Sequence, residues 1–254
     1  MAYENILYEE KERIGLLTLN RPEKRNALGI EAEREITACL KDAAERKHAK
    51  VIILKAAGDV FCSGHDRTEI LRQDLNDVRR LFQTSIDMMM LIHAIPQPVI
   101  AQVQGIAMAG GCHLAAACDL IVAAEKGAQF AMTGAKIGYN CSTPTVAVSR
   151  AIGQKRTLEM LFTGRFVSAR EALAWGLVNR VVPDERLDEE TWSFAKEIAQ
   201  YSLVILGLGK QAYYQQIEMP ERQAYHYAKE LMGANALMAD AIEGMSASIE
   251  GREP

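Results

Sequence analysis

Two glycine-bearing turns hold the residues of this sequence best suited to chemistry. One is Gln104-Gly-Ile-Ala-Met-Ala-Gly-Gly-Cys-His-Leu114, where Gly110 and Gly111 open an alanine-rich helical run and His113 sits in its first turn. The other is Phe61-Cys-Ser-Gly-His-Asp66, which follows an apolar strand and Gly58. Backbone N–H groups at a helix start lack intrahelical partners and lie at the positive end of the helix dipole. They can therefore stabilise a developing oxyanion without a charged side chain. Glycine lets a carbonyl come close to the main chain. Either turn alone reads equally well as a way of packing a helix tightly on a strand. As a pair, with room for a crossover helix between them, they suit a hole with two N–H donors.

His113 has three readings. An imidazole, with an ordinary pKa of about 6.5, suits a general base at neutral pH. In a polar pocket it would instead hold a water or a substrate oxygen, and as a structural residue it would satisfy a neighbouring carbonyl. The residues leave all three open. Asp66 reads as a turn-stabilising group rather than a proton carrier. Cys141 reads as a buried thiol rather than a nucleophile, since nothing beside it would lower its pKa. Without a G-x-S-x-G motif, Ser63 is no hydrolase nucleophile.

The elements that must position these groups follow from periodicity. Strands are predicted at 14–19, 51–54, 99–103, 120–123, 129–132 and 177–182. Helices are predicted at 30–47, at 74–95 up to Pro96 and Pro98, and after the glycine turn. Another starts at the capping box Ser168-Ala-Arg-Glu171 and ends at Gly176. This alternation argues for an α/β architecture. Beyond Pro183 the pattern is helical only, near 185–206 and 220–239 with a shorter helix at the end, and has too little apolar area to stand alone. Residues 137–144 read as a loop.

The 254 residues suffice for one domain, or one with an appendage. Hydrophobic residues make up 49% and charged residues 24%, as in an ordinary globular chain, and a net charge of -4 gives no general pull toward nucleic acid or anionic membranes. The acidic start MAYENILYEEKERIG lacks the apolar stretch of a signal peptide, and no run of about 18 apolar residues exists. The five cysteines (Cys39, Cys62, Cys112, Cys118 and Cys141) form no C-x-x-C pair and no metal set with the histidines. They read as reduced thiols, so a cytoplasmic protein without a metal is expected.

In order along the chain, the motifs resemble the crotonase superfamily, that is, the enoyl-CoA hydratase/isomerase family. The likeness takes in N-R-P-E-K-R-N-A-L at 20–28, both glycine turns, C-D-L-I-V-A at 118–123, L-F-T-G-R-F-V-S-A-R-E-A at 161–172 and W-G-L-V-N-R-V-V-P at 175–183. It covers nearly the whole chain, and the S-G-H-D, C-S-T-P and E-M-L-F-T-G segments point to one subgroup. The resemblance implies a crotonase-like spiral of ββα repeats over 1–184 and a C-terminal helical trimerisation region over 185–254, assembled as a homotrimer or homohexamer. It also implies a coenzyme A thioester as ligand, with no separate cofactor. The N–H groups of His65 and Gly110 would be the oxyanion donors. Lys24, Arg25 and Ala27, with Ser63, Gly64, Asp66, Arg67 and Thr68, would line the adenine and pantetheine path, the two basic residues meeting phosphates. Gly111, Gly134, Tyr139, Cys141 and Ser142 would border the acyl end. In the last helix, the family's phenylalanine and lysine positions hold Ser248 and Gly251, with Arg252 the nearest substitute.

Adding water to an α,β double bond needs a base for the water and an acid for the α-carbon. The resemblance places two glutamates at these tasks, and their positions here hold His113 and Gly134. The aspartate some relatives place eight residues further on is Ser142. Efficient hydration is therefore not expected, and no acidic side chain is expected to reach the carbons beside the thioester oxygen. Enolate-based isomerisation, thioester hydrolysis or decarboxylation, with His113 as remaining base, stays open. So does an acyl-CoA-binding or sensor protein without chemistry. RNA binding, known for one relative, is disfavoured by the charge.

Overall fold

The computed structural model describes residues 3–71 and 73–253. Strands β1 (Ile6–Lys11) and β2 (Ile14–Leu19) form an antiparallel hairpin, followed by helix α1 (Ile30–Arg46) and strand β3 (Val51–Ala56). Next come α2 (Arg67–Ile70), α3 (Leu75–Ala94), β4 (Val99–Val103), β5 (Ile106–Met108), α4 (Gly110–Ala117), β6 (Leu120–Ala124) and β7 (Gln129–Ala131). The chain continues through α5 (Ser142–Ile152), α6 (Gln154–Thr163), β8 (Val167–Ser168), α7 (Ala169–Trp175) and β9 (Arg180–Val182). Helices α8 (Leu187–Ala199), α9 (Leu203–Gln216), α10 (Glu221–Ala236) and α11 (Ala239–Glu250) complete it.

A six-stranded sheet runs in the order β1-β2-β3-β4-β6-β9, parallel except at the β1 edge. Every residue of β4 and nearly every residue of β3 is buried, as suits parallel strands covered on both faces. A second layer pairs β5 with β7 and β7 with β8, and single parallel bridges at Cys62–Ala107 and Leu28–His65 extend it. Each turn of chain thus gives one strand to the large sheet, one short stretch to the second layer and then a helix. This is the ββα spiral that the family resemblance implied.

Several elements were hidden from the periodicity. β1 is an edge strand with one buried side chain, and its hairpin turn uses Glu12 and Arg13 at positive φ rather than Asn-Gly. β9 starts only at Arg180 because the Leu177 and Val178 N–H groups donate to Ala172 O, closing the end of α7. The predicted helix 185–206 is two, since Ser202 caps a new helix by accepting from Val204 N. Residues 137–144 are a loop only to Cys141, where α5 begins.

The C-terminal helices are tied to the sheet by polar contacts and one buried ion pair. α8 lies against the large sheet, where Asp188 accepts from Lys55 Nζ (2.8 Å) and Gln102 Nε2 (2.7 Å). α9 seats Gly207 against Pro96, where a Cβ would approach within 2.6 Å. Lys210 Nζ pairs with Asp119 at 2.6 Å, both side chains largely buried, and Asp119 also accepts from Tyr214 Oη (2.9 Å) and Val99 N (2.7 Å). Removing one member of a buried pair strands the other in low dielectric. Asp119→Ala is therefore expected to lower unfolding free energy by about 3–5 kcal/mol in urea titrations. Lys210→Met added to Asp119→Ala is expected to recover part of that loss.

Candidate active site

The two glycine turns meet main chain to main chain. Leu28 N donates to Gly64 O and Asp66 N donates to Leu28 O, both at 2.8 Å, which leaves the His65 N–H on the opposite edge. Gly64, at φ 90, turns the chain over between the two bridges. On the other side, Ala109 holds φ 51 and ψ -118, a conformation costly for a residue with a side chain. It is fixed by Ala109 N donating to Ala131 O (2.9 Å) and by His113 N donating to Ala109 O (3.0 Å). This bend brings the start of α4 against His65: a Cβ on Gly110 would stand 3.2 Å from His65 N and 2.8 Å from its Nδ1. A Cβ on Gly64 would lie 2.9 Å from Gly110 N, and one on Gly111 only 2.1 Å from Cys62 O. Only glycines permit this approach.

The turns open into a cavity of about 870 Å³. Lys24, Arg25, Ala27, Ser63, His65, Asp66, Arg67 and Thr68 line it, together with Gly110 and with Gly134, Tyr139, Cys141 and Ser142. Three sequence-derived site residues stand outside that wall. Gly64 and Gly111 form the packing behind it, and His113 is buried with its Nδ1 unpartnered among the described residues. Arg252 pairs with Glu243 and Glu250 beside Gly251, away from the cavity. One carboxylate among the expected residues, that of Asp66, does line the cavity. That carboxylate caps α2 by accepting from Thr68 N (3.0 Å) and Thr68 Oγ1 (2.7 Å), bonds that hold it below the usual range and so ionised. Cys141 is buried, which pushes its thiol up and leaves it unreactive.

Beneath His65 lies a group that the sequence reading passed over. Glu33 is fully buried, and its Oε1 is 3.6 Å from His65 Nε2, which also meets Ser85 Oγ at 2.9 Å. Burial raises the Glu33 carboxyl from 4.5 to about 7, the nearby Ser85 hydroxyl tempering the rise and Glu69 adding to it. Burial also drives the His65 and His113 imidazoles down to about 4, so both are neutral at pH 7. The signal for Glu33 was its place in step with Ile36, Leu40 and Ala43 on the apolar face of α1. Asn26 was also missed. Buried, it donates to Ala57 O and Val60 O (both 2.8 Å) and accepts from Arg21 N, which pins the loop bearing Lys24 and Arg25.

Fold and cavity agree with the comparisons. Residues 9–254 match the enoyl-CoA hydratase/isomerase family, and the chain belongs to that family. It is 42% identical to mouse enoyl-CoA hydratase domain-containing protein 3, mitochondrial, over 96% of this chain and 82% of that protein. This is the subgroup to which S-G-H-D, C-S-T-P and E-M-L-F-T-G pointed. The crystal structure of the human protein of the same name superposes with a TM-score of 0.95 at 39% identity, covering 99% of both chains. That of an enoyl-CoA hydratase from Mycobacterium smegmatis superposes at 0.96 with 40% identity, covering 99% of this chain and 98% of that one. The expectation of a cytoplasmic protein is corrected by the mouse, rat and human relatives, which are mitochondrial by name. The five buried free thiols do not by themselves fix a compartment.

The buried titratable groups give stability a defined pH dependence. Glu33, raised from 4.5 to about 7, contributes fully below about pH 4.5 and loses that contribution as pH rises through 7. His65 and His113, lowered from 6.5 to about 4, contribute fully above pH 6.5 and lose it as pH falls through 4. Glu33→Gln is thus expected to raise the thermal midpoint relative to the parent chain more at about pH 8 than at about pH 5. An identical difference at both values would mean that Glu33 keeps an ordinary carboxyl pKa.

Proposed function

We propose that this protein binds an acyl-CoA thioester with its carbonyl oxygen between the N–H groups of His65 and Gly110 and acts on it through an enolate. The observation that supports this reading is the close main-chain approach of the two turns, with His65 and Gly110 both lining one cavity. Paired donors of this kind lower the cost of charge on the oxygen as the α-carbon loses a proton. Lys24, Arg25 and Arg67 at one end offer cations to the nucleotide phosphates, and the partly apolar end near Tyr139 and Cys141 takes the acyl chain. Coenzyme A enters as part of the substrate.

Two-glutamate hydration is not the activity we assign. A Cβ on Gly134 would meet Tyr139 O at 2.2 Å and Cys141 Sγ at 2.9 Å, so the 138–141 loop fills the space a longer side chain would need. At the other position His113 stands behind the wall. The site better suits reactions with less proton traffic, such as isomerisation or thioester cleavage. The same vacancies favour a second reading, an acyl-CoA-binding protein without turnover. Exposed apolar side chains on the C-terminal helices, among them Val204, Met232, Leu237 and Ile249, support assembly into homotrimers or dimers of trimers.

Acyl-CoAs are expected to raise the thermal midpoint, and Lys24→Ala with Arg25→Ala is expected to weaken their binding most at low salt. Crotonyl-CoA hydration is expected to run at least about 10²-fold below that of a two-glutamate hydratase, and Gly134→Glu is not expected to restore it. Product from another thioester would select the enzyme reading. Stabilisation by acyl-CoAs with no product across a thioester panel would select the binding protein, and rapid crotonyl-CoA hydration would refute this assignment of the site.

A further inference from the structure

His65 stands between the cavity and a carboxyl group that the function above leaves unused. Glu33 is wholly enclosed, and neither of its oxygens completes a hydrogen bond of normal geometry among the described residues. A bare carboxyl group in an apolar interior is expensive, and the face of α1 it occupies would take an alanine or leucine at less cost. The surroundings supply a use for it. His65 Nε2 lies 3.6 Å from Glu33 Oε1 and 2.9 Å from Ser85 Oγ, while the Nδ1 edge of the ring turns toward Gly110 at the cavity wall. Phe82, edge-on at 5.1 Å between ring centroids, holds the plane of the imidazole.

Resting on the acyl-CoA reading, we propose that Glu33, Ser85 and His65 form a proton relay, with His65 Nδ1 as the group that exchanges protons with the thioester's α-carbon. On deprotonation the C–H electron pair stays on carbon as the enolate, and the proton passes to Nδ1. The Nε2 proton passes to the Ser85 hydroxyl at 2.9 Å, as that hydroxyl turns to give its own to the carboxylate of neighbouring Glu33. A neutral imidazole in the other tautomer and a neutral carboxyl group remain. The reverse path returns the proton to the α- or γ-carbon. One such relay serves reactions that remove and return a proton, namely α-exchange and double-bond migration, whereas hydration needs two carriers.

Three titratable groups face this cluster besides its own members. Glu69 on α2, accepting from Ile30 N at 2.9 Å, raises the Glu33 pKa. His113 on α4 is neutral near pH 7, and the Cys62 thiol is pushed up to about 12 by burial. Glu33, at about 7, is thus the relay member that titrates near neutrality.

The test is solvent-deuterium incorporation at the α-carbon of butyryl-CoA followed by NMR, with butyryl-CoA affinity measured alongside by calorimetry. Exchange by the parent protein is expected to rise with pH to a plateau above about 7. His65→Gln keeps the backbone N–H but lacks the imidazole, and is expected to lower exchange by about 10²-fold or more while binding is kept. Glu33→Gln is expected to lower exchange and abolish the pH step, whereas Ser85→Ala lowers the rate and keeps the step. Should Glu33→Gln fail to fold, the ¹⁵N signals of His65 in the parent protein carry the same test without substrate, through a tautomer change with its midpoint near 7. Binding without exchange, exchange indifferent to His65→Gln and Glu33→Gln, or ring signals without that midpoint would each overturn the relay. Failure of the parent protein to bind butyryl-CoA or longer acyl-CoAs would instead overturn the thioester reading beneath it.

Discussion

The site depends on one close approach, the main-chain contact between the Ser63-Gly-His65 turn and the start of α4. Gly64, Gly110 and Gly111 leave no room for a Cβ, with Gly111 against Cys62 O as the tightest point. The contact does two things at once. It joins the second layer through the Cys62–Ala107 bridge, and it brings His65 and Gly110 together at the wall of one cavity. The strained bend at Ala109 persists because hydrogen bonds on both sides of the residue over-determine it. A donor held this way needs no reorganisation when charge develops opposite it.

Around that frame, polarity is arranged by depth. The lining cations Lys24, Arg25 and Arg67 are exposed and the capped Asp66 carboxylate is partly so, where water screens them. Deeper in, both histidines are held neutral by burial, and the one carboxyl group behind them is driven toward protonation. An ordinary carboxylate there would be ionised at pH 7 and an ordinary imidazole partly charged. Desolvation brings the carboxyl group into the physiological range and takes the histidines out of it, so the group poised to titrate is not the one its residue type suggests.

Periodicity identified the buried parallel strands and the long helices α1 and α3, because continuous apolar runs and a capped 3.6-residue repeat leave few alternatives. It missed β1, β5, α5 and α6. Edge strands, three-residue strands and helices that begin within a glycine-rich loop carry too little local pattern to stand out. The site was legible where motifs are contiguous. Residues 63–68 and Lys24, Arg25 and Ala27 line one cavity together with Gly110 and the 139–142 segment. It was illegible where a role depends on which way a helix faces. His113, attractive by position, points into packing, while Glu33 and Ser85, unremarked on two separate helices, converge on His65.

By itself the sequence determined the α/β class, the glycine turns and the family, since each rests on local residue chemistry or on motifs in fixed order. That positions 113 and 134 hold a histidine and a glycine rather than carboxylates was also readable from residue type alone. Tertiary structure decided what fills them: the 138–141 loop folds over Gly134, and α4 turns the His113 side chain inward. It also decided which groups sit deep enough to change their protonation. Desolvation and through-space proximity are properties of neighbours brought from distant parts of the chain, and no local pattern encodes them.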